Sequence, residues 1–183
     1  MSKVSCFKCS NDEANRLTRK YLCDALLKIL NVKSFEQITI TELVKEANVS
    51  RAGFYNNYKN KFQIIKEIVL NLNHNLLKKI GKPFSKKVTI SWYENLFNYV
   101  EKIQSTIKLL IKAGFQDEYI QIINEEILNN QEITSSNIAY KRLIWNGGIQ
   151  NIIWFWVKNG MKQTKQEMAK ICFDFFNKDK AYI

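Results

Sequence analysis

Apolar residues recur along this chain at helical rather than strand spacing. Leu22, Leu26, Ile29 and Leu30 fall on one face of a stretch whose other faces carry Arg16, Arg19, Lys20 and Lys28, which predicts a first helix over about residues 13–31. Thr39-Ile40-Thr41-Glu42 then reads as a capping box, because Glu42 can reach back to the amide of the Thr39 N-cap. The helix it opens carries Leu43, Val44 and Ala47 on its apolar face and stops at Asn48, a residue that tolerates the left-handed conformation after a helix end. Val49 plugs the turn, and Ser50 is a good N-cap for a third helix running from Arg51 to about Tyr58. Asn60 caps a fourth, in which Ile64, Ile65, Ile68, Val69, Leu72, Leu76 and Ile80 form a continuous stripe that must be buried. Gly81-Lys82-Pro83 ends it and is the clearest boundary signal in the chain.

Beyond Pro83 the pattern predicts helices at about 89–113, closed by Gly114; at 116–130; at 136–159, closed by Gly160; and at 164–177. No strand alternation or internal repeat competes. The expected fold is all-α, with about eight to nine helices: a flexible arm at 1–12, a three-helix head at 13–60, a connecting helix at 61–82 and a helical body at 83–183.

Composition narrows the function. The 183 residues are 46% hydrophobic, enough for a packed core, and only six glycines and one proline interrupt the helices. The net charge of +11 points to a polyanionic partner, and residues 1–83 hold 15 basic against 7 acidic side chains where 84–183 hold 13 against 10. The longest strongly apolar run, Ile152 to Val157, is far shorter than the roughly 20 residues that span a bilayer. Asp12, Glu13, Arg16 and Arg19 interrupt any secretory signal, so the expected location is the cytoplasm. One histidine, no glycine-rich phosphate loop and no clustered carboxylates leave little for acid–base or nucleophilic chemistry, and the chain is read as no enzyme and as carrying no cofactor. Cys6 and Cys9 form a single C-x-x-C that would need two further ligands for a structural metal, and they read as reduced thiols in the arm; Cys23, Cys172 and His74 are isolated.

Two short helices joined by a tight turn and preceded by a longer one form a DNA-binding head whose second short helix enters the major groove. The stretch Ile38 to Ile65, ITITELVKEANVSRAGFYNNYKNKFQII, resembles the TetR-family signature: a capped helix, a valine-serine turn, an aromatic pair with tyrosine second, an aromatic three residues on, and a lysine opening the fourth helix. Phe54-Tyr55, Tyr58 and Lys61 occupy those positions. By spacing, Phe54 faces inward onto Leu43, Ala47 and Val49. Arg51, Ala52 and Gly53 fill the first turn after Ser50, Gly53 allowing close backbone approach and Arg51 pairing with guanine or phosphate. Asn56 and Asn57 are further base-reading candidates, since an amide matches adenine. The resemblance implies that Thr39, Tyr55, Tyr58 and Lys61 hold phosphates, with Lys59 beside them. Asn48, Asn57 and Phe62 depart from the family's usual residues, so base preference does not carry over.

The C-terminal half resembles the family less tightly. The run from Trp145 to Met161, with Met168, Ile171, Cys172 and Phe175, is similar to the last two helices of a subgroup found around dihydroxyacetone-utilisation genes. In the family these helices pair with their copies; Gly147 and Gly148 would permit close approach, while Trp154 and Phe175 offer apolar area or serve as intrachain core. Trp92, Tyr93, Phe97, Tyr99, Ile103, Phe115 and Tyr119 suit a pocket lining for an effector and equally an ordinary core. The expected protein is a homodimeric, sequence-specific regulator of double-stranded DNA at a palindromic operator, a repressor released by a small-molecule effector. The alternative is a DNA-binding regulator with no small ligand, controlled by a partner protein or by the thiols of Cys6 and Cys9.

Overall fold

The computed structural model describes residues 11–84, 88–129, 133 and 135–177. Cys6 and Cys9 lie outside them. Among the described residues every regular element is an α-helix: α1 (Asn11–Leu30), α2 (Ile40–Glu46), α3 (Arg51–Asn57), α4 (Phe62–Ile80), α5 (Ile90–Lys102), α6 (Gln104–Lys112), α7 (Gln116–Leu128), α8 (Ser136–Lys158) and α9 (Lys165–Asn177). The chain divides into two compact units between Ile68 and Val69, inside α4 and not at Gly81-Lys82-Pro83. A unit is set by which side chains share a core, and the second half of α4 belongs to the body: the Leu72 carbonyl accepts a hydrogen bond from the Tyr99 hydroxyl at 3.1 Å.

In the head, α1 packs on α2 and α3, and α2 packs on α3. Leu22, Leu26, Leu43, Phe54, Ile64 and Ile65 are fully buried there. The local signals act as written in the sequence. Thr39 Oγ1 accepts from the Glu42 amide at 3.1 Å while the Glu42 carboxylate accepts from the Thr39 amide at 3.0 Å, which closes the capping box. Asn48 adopts φ +52°, and the Val49 amide reaches back to the Val44 carbonyl at 3.0 Å, ending α2 in a single residue. Ser50 Oγ accepts from the Gly53 amide at 2.9 Å and so starts α3. Asn60 Oδ1 takes the Gln63 amide at 3.1 Å, and the Gln63 side chain returns to the Lys59 amide at 2.7 Å.

In the body the single helix expected over 89–113 is two, α5 and α6, separated at Ile103 (φ −106°, ψ 12°). Neither glycine nor proline marks the break. Its cause is tertiary: α5 packs on α9 whereas α6 packs on α8, and one straight rod would not present both apolar stripes. Gly114 and Gly160 do close their helices with positive φ, +78° and +76°, a conformation that costs residues with a Cβ. The buried Asn146 of α8 is satisfied by donating to Asn124 Oδ1 of α7 at 2.9 Å. Burial pushes the thiols of Cys23 and Cys172 up to about 12, so both stay protonated and inert near neutrality.

Gly147 and Gly148 are neighbours on α8 with opposite surroundings. A Cβ on Gly148 would lie 2.8 Å from Phe176 Cζ, and that ring is itself hemmed by Phe175 at 5.0 Å and Trp145 at 6.3 Å between centroids. A Cβ on Gly147 would meet nothing within 4 Å. Gly148→Ala is therefore expected to destabilise the body by about 1–3 kcal/mol through overpacking. Gly147→Ala should stabilise it by up to about 1 kcal/mol through helix propensity. Urea unfolding of the two variants, side by side, checks the opposite signs.

Candidate nucleic-acid interface

Phe54 is the anchor of α3. With no exposure at all, and with Tyr55 and Tyr58 rings at 5.2 and 6.0 Å, it fixes which face of a seven-residue helix looks outward. That outer face carries Arg51, Ala52, Tyr55 and Asn56, all exposed and spaced i, i+1, i+4, i+5, with exposed Lys59 immediately beyond. A guanidinium, an amide, a phenol and an ammonium thus share one surface with an apolar methyl, the mix of groups that reads base edges and holds phosphate oxygens. Ser50, at the start of the same face, is exposed and its oxygen is the helix cap.

Five expected contact residues sit differently. Tyr58 follows Phe54 by one helical turn and shares its buried side: it is 4% exposed, its hydroxyl donates to the Glu67 carboxylate at 2.8 Å, and burial raises its phenol well above the ordinary range. In this position it braces the end of α3, its hydroxyl engaged by Glu67. Lys61 donates to the carbonyls of Phe35 at 2.5 Å, Glu36 at 3.1 Å and Ile38 at 2.8 Å, and its ammonium lies 4.5 Å from the Phe35 ring centroid. An ammonium has three donors, so Lys61 is spent on the loop between α1 and α2. Asn57 is half-buried and turns its amide onto the Gly53 carbonyl at 2.8 Å. Thr39 is exposed, but its hydroxyl both accepts from the Glu42 amide and donates to the Glu42 carboxylate at 3.0 Å. Gly53 serves the head's own packing, since a Cβ there would stand 3.2 Å from Ser50 Oγ and 3.7 Å from the Thr18 methyl of α1.

One cluster was not legible as a site. Glu67 of α4 accepts from Tyr58 and lies 3.7 Å from Arg19 Nε of α1, so a single carboxylate ties three elements of the head. Its only signal in sequence is an acidic residue on the flank of an apolar stripe.

The body holds a cavity of about 420 Å³. Trp92, Tyr99, Ile103 and Tyr119 line it as expected, whereas Phe97 and Phe115 do not. Phe97 is fully buried edge-on against Trp156 at 5.2 Å, and Phe115 is buried where the chain turns from α6 into α7. The lining also draws on Leu72 and Leu76 of α4, on Phe84, and on Trp145 and Trp154 of α8. Trp154 is 6% exposed, with its ring 5.1 Å from Tyr119, and a Cβ on Gly148 would meet Phe176, so both make close contacts within the chain. The exposed large hydrophobic residues of α8 and α9 are Tyr140, Ile144, Phe155, Ile171 and Phe175, with open Gly147 on α8.

Lys61→Met should leave three carbonyls without their donor and cost the head about 1–3 kcal/mol. Urea unfolding followed by far-ultraviolet dichroism measures it, and the salt dependence of DNA binding by the remaining folded protein should be unchanged. A second expectation concerns acid. Hydrogen bonds from Lys33 and from the Thr39 amide and hydroxyl pull Glu42 from its ordinary 4.5 to about 2. A carboxylate depressed in the folded state contributes stability that is complete above its unfolded value and is lost as pH falls. Glu42→Gln should therefore be less stable than the parent at pH 7, with the gap closing between 4.5 and about 2.

Comparison with known proteins bears on the fold and on the head. The chain is 33% identical over 112 residues to an uncharacterized HTH-type transcriptional regulator of Bacillus subtilis, YxbF, a match that covers 57% of this chain and 30% of that relative's length. Its fold is similar to the solved structure of Lin0861 from Listeria innocua, with a TM-score of 0.73 at 18% identity over 91% of this chain and 93% of that one. It is also similar to a TetR transcriptional regulator from Streptococcus agalactiae, with a TM-score of 0.54 at 18% identity over 90% and 96% of the two chains. Residues 22–68, from within α1 into α4, match the model of the bacterial regulatory proteins of the tetR family.

Proposed function

We propose that this chain is a sequence-specific transcriptional regulator that binds double-stranded DNA as a homodimer and is released from its operator by a small molecule held in the body. The observation that carries the reading is the outward face of α3, where Arg51, Ala52, Tyr55 and Asn56 stand exposed around a fully buried Phe54. An excess of positive charge in residues 1–83 supports a nucleic-acid partner. A lone head of this size buries too little DNA for specific binding, and the exposed Ile144, Phe155, Ile171 and Phe175 supply an apolar face on α8 and α9 for a second copy. Symmetric recognition helices then sit about 34–36 Å apart, matching a palindromic site in the cytoplasm. Repression is the direction this reading adopts. The aromatic run of α8 with Met168, Ile171, Cys172 and Phe175 supports a place in the dihydroxyacetone-associated subgroup, which the genes flanking this one test directly.

The alternative, control by a partner protein or by Cys6 and Cys9, has no support from the other cysteines, because Cys23 and Cys172 are buried and protonated. Oxidant titration of operator binding separates it from ligand control.

Selection from random duplexes followed by binding assays tests the interface. Arg51→Ala and Asn56→Ala should each relax preference at particular base pairs by about 1–3 kcal/mol. Lys59→Ala should weaken all duplexes alike and lower the salt slope by about one. Loss of base preference in Lys59→Ala alone would reverse these roles. Coupling between body and head is expected to be worth about 1–3 kcal/mol, and reciprocity requires operator DNA to weaken effector binding by the same factor. Effector titration with and without operator measures it; equal affinities would end the ligand-release reading.

A further inference from the structure

Much of the cavity wall in the body is sealed from solvent: Val100, Ile107, Ile123, Ile153 and Trp154 are all buried. The wall also includes His74 and Glu126, both part-exposed and 2.5 Å apart, so one side of the space meets water. Glu126 lies seven residues beyond Tyr119 on α7, about 10 Å along the helix axis.

Tyr119 belongs to the sealed part. It is 9% exposed, its ring stands edge-on 5.1 Å from Trp154, and Ile123 follows it by one turn of α7. Among the described residues no group bonds the Tyr119 hydroxyl, and its oxygen, unlike Trp154 Nε1, keeps surface that a water-sized molecule can touch. Tyr119 lines the cavity, so an occupant can meet that oxygen there. Burial and the nearby Tyr99 phenol both hold Tyr119 above the ordinary phenol range, which keeps it a neutral donor.

Other donors of the wall are committed. Tyr99 gives its proton to the Leu72 carbonyl at 3.1 Å, Trp92 Nε1 to the Gly81 carbonyl at 3.1 Å, and Trp145 Nε1 to the Tyr93 hydroxyl at 3.3 Å. A molecule entering the sealed part therefore meets hydrocarbon, aromatic rings and one donor without a partner. An ionised group there would exchange its water for a single neutral donor, whereas a carbonyl oxygen exchanges one hydrogen bond for another. Flat rings suit the remaining space, because Trp145 already meets Phe84 and Trp92 of the same wall edge-on at 5.2 and 5.8 Å.

We propose that the cavity takes an aromatic molecule whose inner end is uncharged and carries a hydrogen-bond acceptor, and that the Tyr119 hydroxyl holds this acceptor. The assignment rests on the reading of the body as a ligand sensor and names the class of ligand. One hydrogen bond of this kind is worth about tenfold in affinity.

The test uses the full chain and titration calorimetry with three biphenyls. 4-Acetylbiphenyl carries the acceptor, 4-isopropylbiphenyl has the same shape without it, and biphenyl-4,4′-dicarboxylate puts a charge at either end. The acetyl compound is expected to bind about tenfold tighter than the isopropyl compound, and tighter than the dicarboxylate. Tyr119→Phe, which keeps the ring against Trp154, should erase the tenfold difference, about one hydrogen bond. Tyr99→Phe, whose hydroxyl is already spent on Leu72, should preserve it. Isotope-edited infrared spectra of the bound ketone read the same bond in the parent chain, as a carbonyl band lowered from its position in an alkane. Equal binding of the acetyl and isopropyl compounds, tighter binding of the dicarboxylate, no binding of the acetyl compound or an unlowered carbonyl band overturns the ligand class. A difference that survives Tyr119→Phe overturns the anchor. The parent chain decides the ligand class by calorimetry and infrared even if a variant misfolds. Binding with the expected pattern but no change in operator affinity leaves the ligand class standing and overturns the sensor reading instead.

Discussion

A seven-residue helix does not persist in water, because one or two turns of hydrogen bonds do not offset the entropy of fixing the backbone. Both α2 and α3 are of that length. They exist because α1 gives them a surface to pack on and because Phe54, Leu43 and Val44 are removed from water there. The outward side chains of α3 therefore inherit their positions from an inward ring, and any contact they make with DNA is only as well placed as Phe54 is packed. Much of what surrounds α3 maintains that placement. Tyr58, Lys61, Asn57 and Thr39 each carry a group suited to a phosphate or a base, and each spends it inside the head.

The sequence made the local grammar of this head readable, since a cap and its partner lie three residues apart and need no tertiary knowledge. Thr39 with Glu42, Ser50 with Gly53 and the left-handed Asn48 all appear where the spacing places them. Direction was harder to read. A lysine opening a helix looks the same whether it reaches solvent or folds back on three carbonyls, and the loop that accepts Lys61 lies more than twenty residues upstream. The interruption at Ile103 was hidden for a related reason, because the residue has no conformational peculiarity and the bend answers to two different neighbours.

The body shows the limit of periodicity. α8 scatters apolar and polar residues around its whole circumference, so no stripe distinguishes an inner face from an outer one. Trp154 and Phe155 are adjacent in sequence, yet one is 6% exposed and the other 71%. Aromatic enrichment in α5 likewise gives the same signal for Phe97, sealed in the core, and for Trp92, on the cavity wall. The difference between filling a core and leaving a space within it is a matter of a few cubic ångströms per side chain, which no residue alphabet encodes.

All four tryptophans of the chain belong to the body: Trp92, Trp145 and Trp154 border the cavity, and Trp156 is packed against Phe97. The head contains none. Indole emission from this protein is consequently a broadcast from one unit only. It would register the polarity of the cavity and the melting of the helices around it, and it would stay silent while α2 and α3 came apart, so a single smooth fluorescence transition would be no proof that the two units unfold together.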